Sequence, residues 1–472
     1  MSLSQVLYHL KEGADQVIET SCAVVILKGA KAYKVKKSVD YGFLDFTSAE
    51  KRRSALLREL RYNQRMAADI YLGVEEIAGE SVLVMRRFDT KGVLGEQSAQ
   101  DPAWTPDLDL MHNLGRMVGR FHAGSEICRD PQHDNNIKYV IDSNKRNIDV
   151  FRKQLGGDAV DAYDAAIQAA YAAVESDVLK RFTDGHIRHC HGDLHLGNIL
   201  VENGQPVLFD CIEFNERLSQ IDVLYDLGFL LMDLWVRGHG DAASRVLNVY
   251  LEQAARLEDD VQSVYAGLKL LPLYLSVRAG VRCHVNANYG GEGHYAMDKA
   301  RMYLEAAHRF LDMTPATFTA VGGLSGSGKS TRSRQIAPAS GRAPGAVILR
   351  SDEIRKRLWA CPEYEALPRE AYTPDENHRV YGEMFALAGT VAATGQSVIL
   401  DATFREVTWR DKAQALAAQA NLPFAGIWLE VSASDRAARV ALRTKDVSDA
   451  TPDIAERQQA VDLATISWQI EP

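Results

Sequence analysis

Residues 323–331 read Gly-Leu-Ser-Gly-Ser-Gly-Lys-Ser-Thr, and few strings of this length restrict a fold so tightly. Glycines at these intervals let the backbone curl until successive N–H groups face a single anion. The curl is useful only if a strand delivers the loop and a helix starts where it ends. Both flanks comply, since Thr317-Phe-Thr-Ala-Val-Gly322 is apolar and strand-like and Ser330 to Ala337 can continue as a helix. The anion expected is a nucleotide triphosphate. The backbone of Gly323, Ser325, Gly326, Ser327 and Gly328 forms its cradle, Lys329 reaches the β- and γ-phosphates, Ser330 ligates Mg²⁺, and Thr331 completes the motif.

Downstream, strand-like runs at Ala346–Leu349, Ser397–Leu400 and Ala425–Leu429 each precede helix-compatible sequence, which predicts a three-layer α/β domain with a parallel sheet. Functional residues of such a sheet gather at the carboxyl ends of its strands. Asp352 and Asp401 stand at two of them. The Asp352-x-x-Arg355 spacing resembles the acceptor site of small P-loop kinases, namely zeta toxins, polynucleotide kinases and, more loosely, gluconate kinases. That resemblance implies Asp352 as base for an acceptor hydroxyl, Arg355 as an acceptor contact, and Asp401 as a holder of Mg²⁺ through water. Arg436, Arg439 and Arg443 share one face of an expected helix, and Arg439 and Arg443 are taken as lid arginines that close on the transferring phosphoryl group. The competing reading is a basic stripe balanced by Asp435 and Asp446. Gln458, on a last helix, is a further candidate to face this site.

A second constellation lies earlier, in His191-Gly-Asp-Leu-His-Leu-Gly-Asn-Ile-Leu-Val201 followed by Phe209-Asp210. Phosphoryl transfer needs a carboxylate to take the proton of the attacking hydroxyl and hard oxygen ligands to hold Mg²⁺. Asp193 suits the first role, and Asn198 and Asp210 the second. The stretch 191–214 resembles the aminoglycoside phosphotransferase family, part of the protein-kinase-like group, over about residues 1–312. A bilobal kinase-like fold is implied, with a strand lysine on the α- and β-phosphates and a helix glutamate pairing with it. These are assigned to Lys34, with Lys36 as runner-up on the same strand face, and to Glu59, with Glu50 as fallback. No G-x-G-x-x-G loop precedes Lys34, so the Thr20-Ser21 turn has to cover the phosphates. Asp226 is expected to brace the catalytic loop from behind, and Ser81 to Arg86 to lead into the adenine hinge.

Elsewhere in this part, residues 4–19 read as an amphipathic helix, 22–27 and 32–36 as a hairpin, and 48–66 as a charged helix. Arg278 and Arg282 could grip an anionic acceptor or form surface ion pairs, and the glycine-rich stretch 286–294 could line its pocket or merely connect two helices.

A chain of 472 residues exceeds one core. The expected division is a kinase-like domain over 1–312, with its small lobe at about 1–95 and helical lobe at about 96–312, and a P-loop domain over 316–472. A net charge of −9 argues against a nucleic-acid partner. No apolar run suits a membrane span, residues 1–19 lack the pattern of a signal peptide, and six scattered cysteines read as buried thiols of a cytoplasmic protein. The reading is a bifunctional ATP- and Mg²⁺-dependent kinase acting on hydroxyl groups of a small molecule such as a sugar or aminosugar. Its alternative makes the P-loop half a nucleic-acid-end or toxin-like kinase and the first half a regulatory ATP-binding module. The oligomeric state is left open.

Overall fold

The computed structural model describes residues 3–40, 44–289, 294–443, 447–458 and 461–472. The stretch 290–293, the glycine-rich centre of the expected acceptor loop, lies outside them. Internal contacts divide the chain into two compact units. One comprises residues 1–113, 124–142 and 178–233, the other 114–123, 143–177 and 234–472.

The first unit opens with the helix Leu3–Lys11, whose Val6 and Leu10 pack on Val24, Ile26, Val35 and Val82. The expected continuation of this helix to residue 19 does not occur. Gly13 takes φ +70°, which only glycine adopts freely, and the β-branched pair Val17-Ile18 then enters strand β1 (Gln16–Glu19). Strands β2 (Ala23–Lys28), β3 (Lys31–Lys36), β4 (Tyr71–Ile77) and β5 (Glu80–Arg86) complete an antiparallel sheet of order β1-β2-β3-β5-β4. β4 was not expected; it forms because Ala78 and Gly79, both at positive φ, turn the chain straight back onto β5.

Ser48 caps the helix Ala49–Ala67 by accepting from the Lys51 N–H. Arg52, Ala55, Leu56, Glu59 and Asn63, recurring at helical spacing, form its buried face. Leu56 joins Ile70, Leu83 and Leu200 in one core, so this helix and the catalytic-loop region share a foundation. Beyond the sheet lie β6 (Ile187–His189), β7 (Ile199–Glu202), β8 (Gln205–Leu208) and β9 (Gln220–Asp222), paired β6 with β9 and β7 with β8. Asn203 and Gly204, both left-handed, make the tight β7–β8 turn.

In the second unit the helices Gly240–Leu257, Leu271–Tyr289 and His294–Arg309 precede the sheet. Arg282 lays its guanidinium over Tyr303 of the last of these, and Arg278 is buried, so neither is a solvated surface charge. Strands β10 (Phe318–Gly323), β11 (Val347–Arg350), β12 (Val398–Asp401), β13 (Phe424–Leu429) and β14 (Gln469–Glu471) are all parallel, in order β11-β12-β10-β13-β14. β10, β11 and β12 are buried throughout, as a sheet covered on both faces requires. β14 escaped the sequence reading because three residues carry too little pattern. The helix Ala433–Ala441 ends before Arg443, so Arg436 and Arg439 share a helix that Arg443 does not reach. All six cysteines are unpaired, with Cys22 and Cys361 half-buried rather than buried.

Candidate active sites

In the first unit the chain passes through Gly192 at φ +84°, where an added Cβ would stand 2.7 Å from the Leu218 carbonyl oxygen. Asp226 braces the turn from below, its two carboxylate oxygens accepting from the N–H groups of His191 (3.0 Å) and Gly192 (2.8 Å). His191 is fully buried. Its Nδ1 accepts from the Asp193 N–H, which leaves Nε2 to donate to the Phe209 carbonyl at 2.9 Å. Burial holds its pKa below the usual histidine range, so the ring stays neutral and ties the loop to the segment that leads from β8 to Asp210.

Asp193 emerges half-exposed from this frame. Asn198 donates from Nδ2 to both the Asp193 carbonyl oxygen and Oδ2, each at 2.9 Å, leaving its own Oδ1 for a cation. His195 Nε2 lies 3.4 Å from the same Oδ2, while its Nδ1 accepts from the Gly197 N–H. Asp233 accepts from the Leu196 N–H at 3.1 Å. Asp210 takes φ +60°, a conformation costly for a side-chain-bearing residue, with its N–H donated to the Tyr71 hydroxyl. Asp222, by contrast, is spent on a buried bidentate pair with Arg181.

Lys34 Nζ donates to Glu59 Oε1 at 2.6 Å and to Asp210 Oδ1 at 3.1 Å. The strand lysine, the helix glutamate and Asp210 therefore meet at one ammonium. Lys36 points the same way but deeper. Its Nζ lies 2.7 Å from Glu59 Oε2 and 2.5 Å from Glu213 Oε1, with only 2% of the side chain exposed. Lys36 is thus walled off as a structural cation. Burial pushes Glu59 upward, but Lys34 and Lys36 outweigh it and hold the carboxyl at about 2. Burial and the neighbouring Glu59 raise Glu213. Glu50 is exposed on the opposite face of its helix. Glu213 went unseen in the sequence, although two lysines on one strand face ask for a second carboxylate, and Asp210-x-x-Glu213 was in plain view.

In the second unit Gly323, Gly326 and Gly328 all take positive φ, so the loop can wrap as the motif requires. A Cβ on Gly326 would meet the Arg436 carbonyl oxygen at 2.7 Å, and one on Gly323 the Ser327 hydroxyl at 2.6 Å. Lys329 folds back onto the Leu324 carbonyl at 3.0 Å; burial lowers its pKa, partly offset by Asp401 and Asp352. Arg350, the last residue of β11, donates to the Ser330 hydroxyl at 3.1 Å and lies 3.5 Å from Asp401 Oδ2. Asp401 is 4% exposed, and this Oδ2 accepts no hydrogen bond. Asp401 and Ser330 thus share Arg350, and a buried carboxylate oxygen with an ion pair but no hydrogen bond is a donor that a hydrated divalent cation could use. Thr331 is exposed on the first turn of the helix Lys329–Ile336.

Gln458 grips the loop from outside, accepting from the Ser325 N–H at 2.8 Å and donating to its hydroxyl at 3.1 Å. Arg439 donates to the Ser327 carbonyl at 3.1 Å, and Arg443 is exposed past the helix end. Arg436 is buried and spent on the carbonyls of Val431 and Ala455.

Asp352, in the first turn of the helix Ser351–Leu358, opens onto a cavity of about 870 Å³ whose wall also holds Ser325, Arg355, Tyr372, Trp409 and Gln458. Arg355 is fixed there by donating to Ala371 O and Asn377 Oδ1, with its guanidinium 4.8 Å over the Tyr372 ring.

Comparison with known proteins agrees with two machines in one chain. Residues 45–262 match the Phosphotransferase enzyme family and residues 319–463 match the AAA domain. Over 455 residues the chain is 30% identical to the Uncharacterized protein Rv2004c of Mycobacterium tuberculosis and the Uncharacterized protein Mb2027c of Mycobacterium bovis, covering 93% of this chain and 88% of each relative. Among solved structures, choline kinase from Cryptosporidium parvum Iowa II aligns over 66% of this chain and 95% of its own, at TM-score 0.43 and 10% identity. ADP-bound aminoglycoside phosphotransferase APH(2'')-Ib aligns over 66% and 99%, at TM-score 0.37 and 12% identity. Among the described residues no helix is long and apolar enough to cross a membrane.

Proposed function

The chain belongs to the same family as the mycobacterial proteins Rv2004c and Mb2027c, with a kinase-like phosphotransferase domain ahead of a P-loop kinase-like domain, and on that premise we propose a bifunctional kinase. Each site transfers the terminal phosphoryl group of ATP to a hydroxyl of a small molecule, a sugar or aminosugar being the class in view. The observation that supports this reading is that each unit separately holds the carboxylates, the lysine and the oxygen donors that a base, a phosphate contact and a cation site call for. These are Asp193, Lys34, Asn198 and Asp210 in the first, and Asp352, Lys329, Ser330 and Asp401 in the second.

In the first site Asp193 takes the proton of the acceptor hydroxyl, oriented by Asn198 and His195. Lys34, locked by Glu59, donates to phosphate oxygens. In the second, Asp352 takes the proton and Lys329 leaves the Leu324 carbonyl for the phosphates, with Arg439 close at Ser327. Asn198 and Asp210 in one site, and Ser330 and Asp401 in the other, would hold Mg²⁺, which would supply neutralisation of the developing charge. A positioned base typically contributes ~10²–10⁴-fold in rate.

The test incubates the intact chain, Asp193→Ala and Lys329→Ala with a cell metabolite extract and γ-labelled ATP. Labelled products lost in one variant and kept in the other assign an acceptor to each site. Label that neither variant removes, or none at all, ends the proposal.

A further inference from the structure

The cavity beside Asp352 carries more positive charge than its chemistry with ATP uses. Among the described residues three arginines line it: Arg355, Arg369 and Arg405. Arg355 is 6% exposed, and its Nε–H, with both terminal nitrogens already committed, is buried without a hydrogen-bond partner. Arg369 and Arg405 are exposed, and the structure gives neither guanidinium a hydrogen bond or an ion pair among the described residues.

Among the described residues three carboxylates line the same wall: Asp352, Asp449 and Glu406. Asp449 is neutralised. Its oxygens take Lys356 at 2.9 Å, the Tyr372 hydroxyl at 2.6 Å and the Leu367 N–H at 3.0 Å. Asp352, ionised as a base must be, and Glu406 are then the two carboxylates left against three guanidiniums among the described residues. Unpaired arginines on the wall of a ligand cavity are suited to a multivalent oxyanion, which their planar forks can grip two oxygens at a time. At about 870 Å³ the space lies near the upper end of the ~300–1,000 Å³ of small-molecule pockets. An acceptor can therefore bring both a hydroxyl to Asp352 and an anionic group to the arginines.

We propose that the P-loop site phosphorylates an alcohol that already carries a phosphate monoester, an inference that rests on the kinase reading of that site. The hydroxyl gives its proton to the Asp352 carboxylate and its oxygen bonds the γ-phosphorus. The bond from that phosphorus to the β,γ-bridging oxygen breaks, and ADP leaves with the electron pair. The first ester is held by Arg369 and Arg405 and is untouched. The reaction that must supply such a substrate is a kinase reaction on the parent alcohol, the class of reaction proposed for the other half of this chain.

The experiment uses the full-length Asp193→Asn variant, so that only the P-loop site works, with γ-labelled ATP and the small-molecule fraction of a cell extract. A second portion of extract is first treated with phosphatase, which is then removed. The expected result is a labelled product that needs Lys329, forms from untreated extract and is lost from the treated one. Arg369→Ala and Arg405→Ala, exposed and so compatible with folding, should each lower labelling at limiting extract by roughly 10–100-fold, with recovery at saturating extract. Undiminished label from treated extract overturns the proposal alone, pointing to a neutral alcohol or to a carboxylate, which phosphatase leaves in place. Label confined to an added 5′-hydroxyl oligonucleotide also overturns it, in favour of a nucleic-acid end. No Lys329-dependent label from any source removes the kinase reading of this site and the inference with it.

Discussion

Asn248 stands to Ile348 as a neighbouring strand would. Its Oδ1 accepts from the Ile348 N–H at 2.7 Å while its Nδ2 donates to the Ala346 carbonyl at 3.1 Å. β11 is the edge of the P-loop sheet, and its free side is thereby closed by one side-chain amide from the helix Gly240–Leu257. Arg256 of the same helix pairs with Glu353. Asn248→Ala should leave two buried backbone groups unsatisfied and cost about 2–6 kcal/mol, at ~1–3 kcal/mol for each group. A lowered urea midpoint of the full chain and faster hydrogen exchange at the Ile348 amide are the readouts. Wild-type exchange at that amide in the variant would show that another group closes the edge.

A second prediction concerns Glu213, which the mechanism does not touch. Removing it by Glu213→Ala leaves Lys36 with Glu59 alone, and the shared carboxylate is then drawn away from Lys34. Product formation at the first site should fall by about tenfold, with a raised KM for ATP, while the P-loop product is unchanged; a tenfold loss corresponds to roughly 1.4 kcal/mol. Pairing it with Lys36→Met removes the surplus buried cation and should restore much of the lost stability, since breaking one side of a buried pair costs more than replacing both. Equal loss in both products would mean that Glu213 serves folding at large.

What the sequence could disclose follows from how local each signal is. The P-loop and the catalytic loop are short strings whose glycines and carboxylates have to lie at set spacings, so Gly323 to Thr331 and His191 to Asn198 were readable. Asp226 was expected as the brace through resemblance to related phosphotransferases, and it does hold the His191 and Gly192 N–H groups. Lys34 and Glu59 lie 25 residues apart and were found through resemblance to a known pattern, not through spacing. Partners set by tertiary folding were hidden. Nothing near Asn248 announces a strand edge some 100 residues on, and Arg350 reads as an ordinary strand-end arginine until it meets Ser330 and Asp401. The overlong first helix has a different cause. An apolar period persists past Lys11, and the conformational demand at Gly13 overrides it.

Gly192 gives a third test, specific to the first site. At φ +84° any side chain is strained, and a methyl group would press on Leu218 O at 2.7 Å and on Ile212 at 3.1 Å. Backbone strain of this kind costs about 1–3 kcal/mol, and relief requires the loop to move. Gly192→Ala should therefore lose the Asp193-dependent product by more than about 100-fold, while the Lys329-dependent product persists. Retention of the first product within a few-fold would show that Asp193 need not be held by this turn.

The last prediction is a stability maximum on the pH axis, with limbs of opposite sign. Burial lowers His186 to about 3 and His284 to about 4, so between those values and the unfolded ~6.5 the unfolded chain binds more protons. Their contribution is complete above about 6.5 and is lost as pH falls through this window. Glu252 works the other way. Burial, and then the charge of Glu353, raise it to about 8, so the folded chain holds a proton that the unfolded one releases above ~4.5. That contribution is present in acid and is lost as pH rises toward 8. The lowered histidines, His191 among them, outweigh the raised carboxyls below about 6.5, and above it the raised carboxyls, Glu252 with Glu213, act without them. Stability should rise from pH 5 to about 6.5 and decline toward 8, with each uncompensated group worth up to ~1.4 kcal/mol per pH unit. Urea midpoints across this range test it. Glu252→Gln should flatten the alkaline limb and His186→Gln should shallow the acid one; a curve that Glu252→Gln leaves unchanged above 6.5 would show that this carboxyl titrates alike in the folded and unfolded chain.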